Sequence, residues 1–412
     1  MTTQGDTADR SPRYADGFAT TDVSIVCPFD EAEFYVGAIA ARSKDFVRGQ
    51  KTLNQPIIVG AASGVTAEQV RLRALGEFVE RVSATRAGSV FRGIPLRPRE
   101  ESDPAQPTRV PIGCAPEVAD QIHWTHGADL ATGRPVMLPA ELCYLQFPSS
   151  SLVETHHSAN GLAAHHTQHA ALNRAILEAI ERHQLMGSWH LTGWHVTELT
   201  TVDIPDGVKA ACEALGRTHR LFELRQGMLP VVTLALVAQT DGAGLTAGSS
   251  CGGSAKRRAD HAVSEALMLQ HSILNTRAGR TGHEASRRSD LLPRNSMEHV
   301  LRYFDDGQEV IAWYERQARM TSRGHGQSPP AEAAHTTNDL TQAIRNTLGS
   351  NAFAAMVSDE RAQRAGWHVY RALIPGALAY QPQHLPDHLL TSLDLLSSRV
   401  GHTINPSPHP FG

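Results

Sequence analysis

Three stretches of the chain carry apolar residues at helical spacing, and each follows a glycine-containing segment. The first runs from Thr66 to Ala84 (TAEQVRLRALGEFVERVSA), with Thr66 in an N-cap position and Glu68 and Gln69 in the first turn. The second is expected from about Thr167 to Ser188, behind the turn-forming Ser158–Gly161. The third is expected from about Lys256 to Asn275, behind a Gly/Ser-rich loop, Gly242–Ser254. Short apolar runs predict strands at Pro135–Leu138, Pro230–Val237 and Trp367–Ile374, the last ending at Pro375-Gly376, and Gly207–Leu215 reads as a short helix. Residues 21–60 mix short apolar runs with Pro28 and Pro56, and residues 85–150 are rich in Pro and Gly. Helices alternating with strands predict a mixed α/β fold. No composition break divides residues 21–412, which predicts one domain. Residues 1–20 read as a disordered tail, Ser322–Thr337 as a surface loop or linker, and 405–412 as a Pro-rich C-terminal tail.

The helical segments resemble one another. LRALGEFVER (72–81), NRAILEAIER (173–182) and HAVSEALMLQ (261–270) share an alanine, a following glutamate and an apolar frame. Their separation of roughly 90–100 residues is too long for a solenoid and suits an αβ unit used more than once.

Composition narrows the field. A net charge of −4 over 412 residues argues against a nucleic-acid footprint. No run of about 18 apolar residues is present to span a membrane. The polar, acid-containing N-terminus is neither a secretory signal nor a transit peptide. Five scattered cysteines without a CxxC argue against a zinc site or disulfide framework and fit a reducing cytoplasm. Cys251 reads as structural, having no recognisable base near it in sequence. The 22 histidines, with His156–His157 and His165–His166 adjacent, read as surface or core residues rather than a metal centre.

Two glutamate pairs carry the chemistry. Positions i and i+3 share a helix face, so Glu77 and Glu80 point together, as do Glu178 and Glu181. Apolar neighbours (Leu75, Phe78, Val79; Ile176, Leu177, Ile180) put both pairs near the buried stripe. Close, poorly solvated carboxylates repel, and one protonates unless a cation intervenes. Arg81 and Arg182 are candidates, as is a divalent metal; carboxylate plus phosphate oxygens are what magnesium selects. A single ExxER segment more often supports a solvated helix face. Two in matching frames, each behind a Gly-containing loop, favour a metal–nucleotide site. A carboxylate-bridged di-metal bundle would need Glu-x-x-His on two helices, whereas both second positions here are Glu.

SGVTAEQVRLRALGEFVERVSA (63–84), SANGLAAHHTQHAALNRAILEAIERHQLMGSW (158–189) and, more loosely, GSSCGGSAKRRADHAVSEALMLQH (248–271) resemble the three ATP-site motifs of the YcaO family. GADLATGRPVMLPAELC (127–143), GMLPVVTLALV (227–237), VYRALIPGALAY (369–380) and NPSPHPFG (405–412) extend the resemblance over roughly residues 25–412. It implies a YcaO-type α/β fold of repeated helix–strand units around an ATP site, with ATP and Mg2+ as cofactors. ATP would phosphorylate a peptide amide oxygen, making a poor leaving group into a good one. By matching position, Glu77, Glu80, Glu178 and Glu181 would hold metal. Glu77, Glu80, Arg81, Ser158, Asn160, Arg182 and Glu265 would hold nucleotide.

The ending resembles the PxPxP tail of azoline-forming members: Pro406, Pro408 and Pro410 would keep it stiff and deliver the chain end, Gly412, for proton transfer. The sequence departs from the family pattern at Ser63 (commonly Lys), His166 (Asn), Ala170 (Glu) and His261 (Arg). The implied activity is cyclodehydration of Cys, Ser or Thr in a ribosomal precursor peptide to thiazoline or oxazoline. Thioamide or macrocyclic amidine formation, or a scaffold without nucleotide binding, remain alternatives. Residues 1–60 are too short for an added recognition domain. Leader-peptide capture is therefore expected from a separate partner protein or a surface of this chain, and a homodimer stays open.

Overall fold

The computed structural model describes residues 22–29, 32–43, 57–85, 107–119, 121–145, 153, 158–279, 293, 295–323, 335–380, 387–400 and 403–411. The expected tail 1–20 and most of the expected loop 322–337 lie outside them, as does Gly412.

The chain opens with β1 (Ser24–Val26), β2 (Tyr35–Arg42) and β3 (Ile57–Gly64), an antiparallel first sheet in that order, and then α1 (Ala67–Thr85). Thr66 caps α1 as its sequence suggests, its Oγ1 accepting from the Gln69 amide at 3.3 Å. Next come β4 (Thr108–Arg109), β5 (Trp124–Asp129), β6 (Pro135–Pro139), the short α2 (Ala140–Cys143), β7 (Leu162–His165) and α3 (Gln168–His190), capped by Thr167. β8 (His195–Leu199), α4 (Asp206–Ala214), β9 (Thr218–Arg225), β10 (Val232–Ala238), β11 (Thr246–Cys251) and α5 (Ala255–Gly279) follow. The chain finishes with α6 (Ser296–Phe304), α7 (Gln308–Arg323), α8 (Thr337–Leu348), β12 (Phe353–Met356), α9 (Glu360–Arg364), β13 (His368–Leu373) and α10 (Asp387–Val400). The second sheet has the order β4-β6-β5-β12-β13-β7 and the third, all antiparallel, β11-β10-β9-β8.

Each of the three glutamate-bearing helices is wedged between two sheets. Val70, Phe78, Val79 and Val82 of α1 share a core with Ile39 and Ile58 of the first sheet and Leu138, Leu162 and Val369 of the second. In α3, Ile176 and Ile180 pack with Ala163 and Ala372 of the second sheet, while Leu185 and Trp189 pack with Phe222 and Leu234 of the third. Val263 and Leu267 of α5 join Ala235 and Val237 of the third sheet to Val36 of the first. Alternation along β10 explains its unbroken burial: Leu234 and Leu236 face the α3 side, Ala235 and Val237 the α5 side. Burying each large side chain contributes about 1.5–3 kcal/mol.

Glycines set how closely strand and helix approach. A Cβ on Gly60 would collide with the Ala74 carbonyl and Phe78 amide of α1, and one on Gly248 with the Ala262 carbonyl and Ala266 amide of α5. This corrects the reading of Gly242–Ser254 as a loop. Thr246–Cys251 is a strand, and its small residues serve close contact with α5 rather than a turn. Strand β7, short and Ala-rich, is likewise absent from the sequence expectation, which ran the 158–161 turn straight into α3.

Gly60→Ala and Gly248→Ala are each expected to lower stability by about 1–3 kcal/mol through overpacking against backbone that cannot yield. Urea unfolding checks this; unchanged midpoints would contradict the close-approach role.

Candidate active site

Five glutamates from α1, α3 and α5 converge. Glu77, Glu178 and Glu265 each stand seventeen residues after a close-packed glycine, Gly60, Gly161 and Gly248. In two units the amide following that glycine donates to the glutamate: Ala61 to Glu77 Oε2 at 2.6 Å, and Ser249 to Glu265 Oε2 at 2.8 Å. In the third, Gly161 sits in a left-handed turn (φ 69°) and the following amide, Leu162, bonds Ala159 instead. Ser249 also links two helices, its Oγ donating to Glu181 Oε1 at 2.6 Å. Ser63, at the end of β3, ties α5 to the first sheet by donating to the Ser264 carbonyl at 2.7 Å.

The carboxylates perturb one another. Burial, then Glu178 and Glu77, hold the Glu80 carboxyl well above the ordinary range. Glu178 is pushed up to about 8 by burial and Glu181, against the pull of Arg182, Arg371 and Arg81. Glu265 is pushed up to about 7 by burial, Glu181 and Glu77, against Arg182 and the Ser249 amide. Arg81 forms an ion pair with Glu77, and Arg182 Nε lies 3.8 Å from Glu178 Oε1. Burial alone would depress Arg182, yet Glu181, Glu178 and Glu265 raise it further. These arginines do not offset the carboxylate charge: two carboxyls still titrate near neutrality. The donor set therefore suits an additional cation. Among the described residues no three His, Cys, Asp or Glu side chains form a metal cage alone.

The two other expected nucleotide contacts lie beside this ring in a supporting arrangement. Asn160 Nδ2 donates to Ser158 Oγ (2.7 Å) and to the Tyr380 carbonyl (2.8 Å), and the Ser158 carbonyl accepts from Arg371 Nη1 at 2.8 Å. Arg371 was missed by sequence reasoning, though a lone arginine within the apolar run VYRALIPG was the available signal. It is buried on β13, and Glu178 and Glu80 both feel its charge. His183 steadies the same segment. Its Nδ1 accepts from the Leu378 amide (2.9 Å), so Nε2 carries the proton and donates to Gln226 Oε1 at 2.6 Å. Burial lowers its pKa to about 4. Cys251 is half-buried, and burial, then Glu181, hold its thiol well above the ordinary range, consistent with an inert group.

The C-terminal segment is packed rather than frayed. Leu191 bridges Ile404, Trp189 Nε1 donates to the Ser407 carbonyl (2.9 Å) and Tyr303 Oη to the Pro408 carbonyl (2.6 Å). The His409 ring stacks on His299 at 3.7 Å between centroids. Pro406 is exposed, whereas Pro408, His409, Pro410 and Phe411 are buried. Phe411 connects to the glutamate ring through Tyr380: the Phe411 carbonyl accepts from Tyr380 Oη at 3.3 Å, and the Arg182 guanidinium lies over the Tyr380 ring, 5.9 Å from its centroid.

A family model described as "YcaO cyclodehydratase, ATP- and Mg2+-binding" matches residues 61–378, which contain all five glutamates. The chain belongs to the YcaO family. Its fold is similar to that of YcaO from Methanopyrus kandleri bound with AMPPCP and Mg2+ (TM-score 0.55, 16% identity, covering 92% of this chain and 93% of that one). It is also similar to the E. coli microcin synthetase McbBCD complex with pro-MccB17 bound (TM-score 0.59, 13% identity, 87% and 89%). A third likeness is to a heterocyclase in complex with substrate and cofactor (TM-score 0.59, 16% identity), where the match covers 94% of this chain and 54% of that one. At such identities the YcaO likeness is one of fold. No curated protein matches the sequence. Among the described residues no helix is long and apolar enough to cross a membrane.

The titration has a stability consequence. A carboxyl whose folded pKa lies above its unfolded value makes the fold less stable as pH rises between the two. For Glu178 and Glu265 that loss runs from about 4.5 to about 8 and about 7. His183 and His261, both lowered to about 4, act oppositely below 6.5 and fall silent above it. Ligand-free protein should therefore lose stability between about pH 6.5 and 8, and Glu178→Gln should flatten the slope. Denaturant unfolding across that window checks this; a flat or rising wild-type profile would contradict it.

Proposed function

We propose that this chain is an ATP-dependent cyclodehydratase that closes Cys, Ser or Thr of a ribosomally made precursor peptide onto the preceding backbone amide. The observation that carries the reading is the meeting of two features at one place. The five-glutamate ring lies beside Tyr380, and Tyr380 holds the carbonyl of Phe411. The glutamate ring and Phe411 are thus linked through Arg182 and Tyr380.

Glu77, Glu80, Glu178 and Glu181 would hold magnesium, with Glu265 and the arginines beside them completing the nucleotide site. ATP, when bound, supplies the phosphoryl group that lets the amide oxygen depart as phosphate. Arg81 and Arg182 keep the carboxylates oriented, and the Ala61 and Ser249 amides fix two of them from behind. The substrate's own thiol or hydroxyl adds to the amide carbon and gives up its proton. The amide nitrogen then loses its proton as the carbon–oxygen bond breaks, so the peptide loses one water per ring. The PxPxP-type ending, Pro406, Pro408, Pro410 and Gly412, would assist these proton transfers. The anchors of Ser407 on α3 and Pro408 on α6 support a rigid rather than diffusive delivery.

The multi-protein, peptide-bound microcin synthetase supports a peptide substrate and a separate partner protein for this chain too.

Incubation with ATP, Mg2+ and the peptide encoded beside this gene, with and without the neighbouring partner, tests the reading. Loss of one water per modified residue with matching phosphate release is expected. Replacement of oxygen by sulfur would mean thioamide formation instead. Glu77→Gln and Glu178→Gln are each expected to abolish turnover while circular dichroism stays native; full activity in both would remove the site assignment.

A further inference from the structure

The triplicated unit carries a second set of residues. One helical turn before each of Glu77, Glu178 and Glu265 stands a basic side chain: Arg73, Arg174 and His261. Positions i and i+4 lie on one helix face, about one turn apart. Since the glutamates converge, their basic neighbours should converge too, in a layer nearer the helix N-termini. They do: Arg73 Nη2 lies 2.9 Å from His261 Nε2. An arginine has only donors, so His261 accepts there and is neutral. Burial, then the charges of Arg73, Arg257 and Arg174, push His261 down to about 4. Burial, then Arg257 and Arg73, lower Arg174, and no described acidic side chain pairs with it. Arg73 is likewise lowered by burial and Arg257, with Asp260 opposing.

Partial desolvation notwithstanding, Arg73, Arg174 and Arg257 remain solvent-exposed, whereas the glutamates behind them are half-buried. The site is thus layered, carboxylates within and guanidiniums at the mouth. Cations gathered against their mutual repulsion, with Asp260 opposing it at Arg73, suit an anion carrying several charges.

We propose that Arg73 and Arg174, with Arg257 beside them, seat the outer phosphates of the nucleotide and restore the charge that the chain lacks by having His261. This deepens the nucleotide reading above and rests on it. The first two units carry arginine at this position where the third has histidine, and His261 is the acceptor that orients Arg73. The departure at 261 is then a relocation of charge rather than a loss of phosphate binding.

Calorimetry with Mg2+-AMPPCP and with AMP tests this on the full chain. Arg73→Gln and Arg174→Gln should each weaken AMPPCP about 10- to 100-fold and change AMP less than about threefold, as expected for charge-assisted bonds to phosphate. Adding His261→Arg to Arg73→Gln should regain most of the loss. Unchanged AMPPCP affinity in both single variants, equal weakening of AMP, or no recovery in the double variant would overturn the proposal, with thermal unfolding verifying that each variant folds. A wild-type chain that binds no AMPPCP would overturn it together with the nucleotide reading. Normal wild-type binding beside unaffected arginine variants would overturn it alone.

Discussion

Everything at the centre of this molecule answers to one electrostatic constraint: five carboxylates held together in a half-buried place. The close strand–helix approach at Gly60 and Gly248 lets two backbone amides reach the glutamates from behind. Arg81, Arg182 and Arg371 supply positive charge from the flanks, and Ser249 spans α3 and α5. These contacts orient the carboxylates without neutralising them, since Glu178 and Glu265 still titrate near neutrality. The fold holds open a demand for cation, which a metal–nucleotide complex would meet.

The same three helices organise the rest. Because α1, α3 and α5 each lie between two sheets, the glutamate face of each is turned toward its counterparts while the apolar stripes remain buried. α3 does most: it carries Arg174, Glu178 and Glu181 along its length and, at its C-terminal end, Trp189 and His190, which grip the C-terminal segment. One helix thereby connects the carboxylate ring to the segment around Asn405 and Ser407. Arg182 and Tyr380 link that ring to Phe411.

Much of this was legible in the sequence, for stated reasons. Helices α1, α3 and α5 declare themselves by period, α1 also by its capping Thr66, and the paired glutamates by their i, i+3 spacing on an apolar frame. The motifs around them carry the YcaO resemblance that the family match bears out. Strand β11 was not legible, because glycine and serine there answer to the proximity of α5, which local pattern does not encode. Arg371 reaches Ser158 across 213 positions, and the contact between Arg73 and His261 spans 188. Spacing within one helix shows which residues share a face; only the packing of three helices shows that the faces meet. Ser158 and Asn160 carry a similar lesson. Their motif positions suggest nucleotide contacts, and only the fold shows that they also bond the Arg371 and Tyr380 segment beside the ring.

The central claim, that the glutamate ring awaits a metal–nucleotide complex, is tested most directly by counting protons. Mg2+-AMPPCP binding measured by calorimetry at pH 7 in buffers of different ionisation enthalpy gives the number released. Glu178 and Glu265 carry protons for part of the time at that pH, and a bound cation would expel them. The account predicts binding with net proton release that shrinks in Glu178→Gln. Absence of binding, or binding with no proton release, would contradict it.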